Sequence, residues 1–204
     1  GKPRRGISGD GIVQNIFRQL GYKTYGIFPS DYEFSGIGSS YDYSFPERGK
    51  NDNLLVRAIL MGEFRFDIGI NDQSHEKYTE TKKNIFENVG GNPVFIYTHS
   101  ELPNHSQNSG VCLPDETELY KERLTRANSE MRQDIETIIE NDPKAIIIVA
   151  GDHGPYLTKN CIATSNVYDL SQLSRLDIQD RFGTFLAVRW PTKDYADYDN
   201  ITVL

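Results

Sequence analysis

The sequence predicts an α/β fold: a mostly parallel sheet with helices on both faces, layered as a three-layer sandwich. Three observations lead there. Residues 93–98 (PVFIYT) and 145–150 (AIIIVA) are short, nearly uniform apolar runs, the pattern of strands in a parallel sheet, and the first is expected to be covered on both faces. Between them, residues 117–140 carry Leu119, Leu124, Ala127, Met131, Ile135 and Ile138 at the spacing of one long amphipathic helix. Strands that alternate with helices of about ten or more residues imply right-handed crossovers, and those place the strands in parallel.

Each element has its own signals. Residues 10–20 place Ile12, Val13, Ile16, Phe17 and Leu20 at helical spacing, and Gly21 follows where a C-terminal cap belongs. Residues 23–28, short and rich in aromatic and β-branched side chains, predict a strand that Pro29, Ser30 and Asp31 end. Residues 53–64 and 75–89 read as surface helices, the second mostly polar outside Tyr78, Ile85 and Phe86. The polar, turn-rich stretch 104–115 reads as an exposed loop. The long helix stops at Asn141-Asp142-Pro143, and the strand after it runs into Gly151-Asp152-His153-Gly154. A last strand, 184–190, closes at Pro191. The apolar faces around Phe17 and Met131 are assigned to the core.

The chain has 204 residues, 37% of them hydrophobic and 25% charged, the composition of one compact domain. No apolar run approaches the roughly 18–20 residues needed to cross a bilayer, and no apolar segment at the start resembles a signal peptide, so the chain is expected to be soluble. A net charge of −7 gives no general attraction to nucleic acid or to anionic lipid. An anionic substrate would therefore need a metal or a local cationic site. Cys112 and Cys161 are too few for a disulfide scaffold and lack C-x-x-C spacing; one disulfide and two thiols both fit.

In open parallel α/β sheets, ligands bind beyond the carboxyl ends of the strands. Asp31 follows the first strand, His99 and His105 the second, and Asp152 with His153 the third, so these five groups are the candidates. Asp152 and His153 sit on a turn flanked by glycines, which let the backbone bend sharply enough to offer a carboxylate oxygen and an imidazole nitrogen to one divalent cation. Simpler uses exist for each residue: an Asp in such a turn often bonds backbone amides, and Asp31 after Ser30 is a common turn initiator. His105 fits an exposed loop, His99 a buried strand end, and His75 a solvated helix. Ser8 precedes a helix and is read as an N-cap rather than a nucleophile, with Lys2, Arg4 and Arg5 as a mobile arm. Asp180-Arg181 could hold an anion through the guanidinium, but a surface ion pair is the simpler use.

Several segments together resemble the alkaline phosphatase and sulfatase superfamily. These are Gly21-Tyr22-Lys23-Thr24 with its strand to Pro29, Tyr41-Asp42-Tyr43-Ser44-Phe45, the strand leading to Pro103-Asn104-His105, and Gly151-Asp152-His153-Gly154-Pro155. The nearest branch is the sulfatase-like enzymes of bacterial envelope biogenesis, lipoteichoic acid synthases and phosphoethanolamine transferases among them. The resemblance implies that Asp152 and His153 ligate a divalent metal, zinc or manganese, with calcium if the other ligands are carboxylates. It implies contact between His105 and a substrate phosphate or sulfate and matches His99 to a histidine at the same strand end; Asp31 is a further substrate-side candidate from its place after the first strand. Relatives carry their nucleophile and another acidic ligand upstream of the helix that precedes Gly21, so the chain is expected to be a single sulfatase-like domain truncated at both ends and inactive alone. The parent enzyme would be membrane-anchored through parts absent here. Its catalytic domain would face outward and act on a lipid or polysaccharide ester, not on nucleic acid.

Two other functions compete with that expectation. A non-catalytic module with the same fold could keep an anion- or glycan-binding pocket. A nucleotide-binding domain would need a glycine-rich phosphate loop after a strand, and neither G-x-G-x-x-G nor G-x-x-x-x-G-K-S/T follows any strand here.

Overall fold

A computed structural model describes residues 5–30, 39–47, 74–89, 91–104, 114–158 and 170–191. The fold is α/β, and it comprises two compact units, Gly1–Glu101 and Leu102–Leu204. The expected helix at 53–64 lies outside the described residues, as do Asp31, His105, Cys112 and Cys161.

In the first unit a helical turn, Gly6–Asp10, precedes helix α1 (Ile12–Gln19). Gly21, at φ +85°, then reverses the chain into strand β1 (Lys23–Ile27). Glycine suits that left-handed backbone, and the Gly21 and Tyr22 amides close the helix end on the Arg18 and Phe17 carbonyls. Strand β2 (Tyr43–Phe45), helix α2 (His75–Asn88) and strand β3 (Val94–Thr98) follow. β1 is central and pairs in parallel on both sides, with Ile27 opposite Phe45 of β2 and Thr98 of β3. Ile27, Phe45 and Tyr78 are buried together, and Ile85 and Ile96 pack against them. The Tyr78 hydroxyl donates to the His99 carbonyl at 2.8 Å, which leaves it to accept from Thr98 Oγ1 at 2.8 Å, so α2 is tied to the end of β3.

Three expectations for this unit need correction. The apolar side of α1 is not all core: Ile12 is 81% and Leu20 66% exposed, and Val13 and Ile16 are exposed too. Only Phe17 of that set packs inward, against Tyr22 and Phe95. The buried side holds Gln14 instead, whose amide donates to the Gly6 carbonyl and the Tyr41 hydroxyl, with Arg18 donating to the Gly9 and Ser40 carbonyls. These carbonyls come from irregular backbone that needs donors, and that need turns the helix. Ser8 does not cap α1 either. The turn with Gly9 at φ +97° moves the helix start to Gly11, and the buried Ser8 hydroxyl donates to the Arg5 carbonyl. Strand β3 is half-buried along most of its length rather than covered on both faces.

Thr24 is buried on β1, and its amide and hydroxyl both donate to Asp42 Oδ2, at 2.7 and 2.9 Å. The Thr24 amide bond is the main reason the Asp42 carboxyl titrates below its usual 3.8; burial opposes the shift, and the Thr24 hydroxyl, Lys23 and Arg18 reinforce it. A carboxyl whose folded value lies below its unfolded value stabilises the fold above the unfolded value, and that contribution fades as pH falls through the folded one. Acid unfolding followed by circular dichroism is therefore expected to be less steep below about pH 4 for Asp42→Asn than for the parent chain. Identical acid limbs would contradict the role of this bond.

The second unit holds helix α3 (Glu116–Asn141), strand β4 (Ile147–Ala150), helix α4 (Arg175–Phe182) and strand β5 (Leu186–Arg189). α4 starts in a capping box, in which the Ser174 hydroxyl accepts from the Asp177 amide and the Asp177 carboxylate from the Ser174 amide. β4 and β5 pair antiparallel, Ile147 opposite Arg189 and Ala150 opposite Leu186. The connection explains the direction. α4 ends beside the turn that leaves β4, since the Gly154 amide donates to the Arg181 carbonyl at 3.1 Å. The few residues from Gly183 to Phe185 are too short to carry the chain back along β4, so β5 must start where β4 ends. The face of this pair carrying Ile148, Leu186 and Val188 is exposed, which accounts for the alternating burial of the apolar run 145–150. No helix among the described residues is long and apolar enough to cross a membrane.

Candidate metal centre

The turn after β4 is built by the elements around it. Gly151 continues the ladder, its amide donating to the Phe185 carbonyl at 3.0 Å while the Gly151 carbonyl accepts from the Thr184 hydroxyl. Gly154 is buried against the end of α4, where a Cβ would fall 2.0 Å from the Asp180 carbonyl oxygen. Only glycine lets the two backbones come so close. The Tyr156 amide donates to that same oxygen at 3.3 Å, and the Thr158 amide and hydroxyl donate to Asp180 Oδ2 at 3.0 and 3.2 Å. Residues 154–158 are thus laid along the last turn of α4.

Asp152 and His153, held on this frame, are brought together. The Asp152 side chain is 71% exposed and that of His153 34%. His153 Nδ1 lies 2.9 Å from the Gly154 carbonyl oxygen. A carbonyl can only accept, so Nδ1 carries a proton, and in the neutral imidazole Nε2 then presents a lone pair. Nε2 is 3.6 Å from Asp152 Oδ2. Two ligands on one tetrahedral zinc, each at about 2.0–2.1 Å, stand about 3.4 Å apart, so this carboxylate and this imidazole have the right separation and the right atoms for a shared cation. Among the described residues no group of three or more His, Cys, Asp or Glu side chains could hold a metal.

A stacked ring holds the imidazole. His153 and Tyr156 have ring centroids 4.8 Å apart at 18°, and the Arg181 guanidinium carbon lies 3.9 Å from the Tyr156 centroid. Asp180 and Arg181 fasten the turn, one by accepting from Thr158 and the other by covering Tyr156. The sequence offers no signal for this, because the partners come from separate elements.

Pro103 is tied to α3. Arg123 of α3 donates from Nε to the Pro103 carbonyl at 3.0 Å and from Nη2 to Glu116 Oε1 at 2.8 Å. Glu116 is only 2% exposed, and its Oε2 is buried without a hydrogen-bond partner. Burial raises the Tyr120 hydroxyl above its usual value; Arg123 opposes the shift and Asp180 adds to it.

The other candidates are distributed differently. His99 ends β3, its amide donating to the Ile27 carbonyl at 3.3 Å and its carbonyl accepting from Tyr78. That is the backbone-bonded strand-end position. Among the described residues, β3 and β4 belong to different sheets. His75 opens α2 with its ring 6.3 Å from that of Tyr78. No family model, curated protein or solved structure matches the chain.

Proposed function

We propose that the chain is a segment of a metal-dependent enzyme that transfers or hydrolyses phosphate or sulfate esters on a cell-envelope lipid or polysaccharide. On this reading the fold is part of a three-layer, alkaline-phosphatase-like domain of a membrane-anchored parent with its catalytic domain outside. The observation that carries the proposal is the His153 imidazole, its Nδ1 proton held by the Gly154 carbonyl and its Nε2 3.6 Å from Asp152 Oδ2. Together with the resemblance of Gly151-Asp152-His153-Gly154-Pro155, it favours catalysis over a plain anion-binding pocket.

Asp152 and His153 would hold the cation, for which zinc and manganese both suit an oxygen and nitrogen donor set. Bound there, the metal would lower the pKa of a hydroxyl nucleophile and neutralise charge on the ester oxygens. The chain's own part is orientation: the Gly154 carbonyl fixes the tautomer, and the turn keeps carboxylate and imidazole side by side. His105 is the residue proposed to meet the substrate anion.

Calorimetric titration with Zn²⁺ and Mn²⁺ tests the proposal. The parent chain is expected to bind at least one of them, and Asp152→Ala and His153→Ala are each expected to weaken binding at least about tenfold. Both side chains are exposed enough for the substitutions to leave the fold intact, which circular dichroism verifies. Absence of binding by the folded parent chain, or binding that neither substitution changes, would overturn the metal assignment.

A further inference from the structure

The backbone at Tyr156 is left-handed, φ +61°, a conformation that a bulky side chain adopts only where its surroundings impose it. The surroundings do so here. The amide is bonded to the Asp180 carbonyl, Thr158 two residues on is bonded twice to the Asp180 carboxylate, and the ring lies between a guanidinium carbon at 3.9 Å and an imidazole at 4.8 Å. Strain of this kind collects where a side chain must be aimed. The side chain aimed here is a planar ring resting nearly parallel on the His153 imidazole.

We propose that Tyr156, clamped by Arg181, is a positioning residue for the metal centre: its ring sets the plane of the His153 imidazole and so directs Nε2 toward the cation. The proposal rests on the reading of Asp152 and His153 as metal ligands. An imidazole has two degrees of side-chain rotation, and a hydrogen bond at Nδ1 alone leaves the ring free to pivot about that contact. A stacked aromatic face removes the pivot. The flat guanidinium against Tyr156 makes a cation–π contact that keeps the phenol from swinging away, which a flexible ammonium would do less well. The stacking uses the face of the ring, so phenylalanine should serve as well as tyrosine.

The test uses Tyr156→Phe, Tyr156→Gly and Arg181→Met in the whole chain. Glycine accepts φ +61° without strain, so Tyr156→Gly removes the ring while leaving the turn in place. The first readout needs no metal: side-chain ¹⁵N–¹H correlation spectra report the tautomer and order of the His153 ring. The parent chain and Tyr156→Phe are expected to show one Nδ1-protonated form, and Tyr156→Gly and Arg181→Met a mixture of tautomers. The second readout is Zn²⁺ titration, in which Tyr156→Gly is expected to lose about tenfold or more in affinity and Tyr156→Phe to lose none. A single Nδ1-protonated tautomer in Tyr156→Gly, or parent-like zinc affinity in that variant, would overturn the positioning role. If the parent chain fails to bind zinc while its imidazole shows one ordered tautomer lost in Tyr156→Gly, the ring's aiming role stands and the metal reading falls.

Discussion

Replacing Arg123 with methionine is expected to destabilise the second unit by about 2–4 kcal/mol, measured by urea denaturation. The substitution keeps most of the apolar stem but leaves Glu116, 2% exposed, as a buried carboxylate without its cation. It also removes the donor to the Pro103 carbonyl. Loss of one partner from a fully buried pair costs more, but the Arg123 side chain is 26% exposed, and water at the guanidinium reduces the figure. Glu116→Met combined with Arg123→Met is expected to recover most of the loss, because an apolar pair of similar size leaves no orphaned charge, and the buried Oε2 that already lacks a hydrogen-bond partner goes with it. A double substitution no more stable than Arg123→Met alone would show that the cost came from the Pro103 contact instead.

Gly154→Ala is the second large effect, expected to cost about 2–3 kcal/mol. The new Cβ would lie 2.0 Å from the Asp180 carbonyl oxygen and 3.2 Å from that of Gly183. Both obstacles are backbone at the end of α4, so neither can yield by a rotamer change. Either α4 withdraws or the turn does, and in both cases the Tyr156 and Thr158 bonds to Asp180 are disturbed. The variant should therefore combine a lower denaturation midpoint with weaker zinc binding, whereas a purely structural loss would lower the midpoint and leave affinity unchanged. Parent-like stability would contradict the close approach of the turn to α4.

Sequence patterns were sufficient where local periodicity decides the outcome. The run of apolar residues from Leu119 to Ile138 marked α3 within a residue or two at each end, and the strands at 23–28, 93–98 and 145–150 were equally legible. The glycines around Asp152 and His153 pointed to the turn through sharp bending of the backbone, whereas what Gly154 supplies is close approach to α4 and not a left-handed conformation. What stayed hidden depends on partners far away in the chain. The inward side of α1 is decided by carbonyls at Gly6, Gly9 and Ser40 that need donors, so polar Gln14 and Arg18 face in and Ile12 and Leu20 face out. The direction of β5 follows from the short link after α4, which becomes evident only once α4 is seen beside the turn. Tyr156 and Arg181 are ordinary surface residues in sequence, and their stacking is a product of tertiary structure alone.

The most direct test of the central claim is crystallography of the chain grown or soaked with Zn²⁺, with anomalous differences collected at the zinc edge. The account predicts a peak within bonding distance of both His153 Nε2 and Asp152 Oδ2, with His153 Nδ1 still on the Gly154 carbonyl. A zinc peak bound elsewhere while this pair stays bare, or one that reaches His153 through Nδ1, would contradict it.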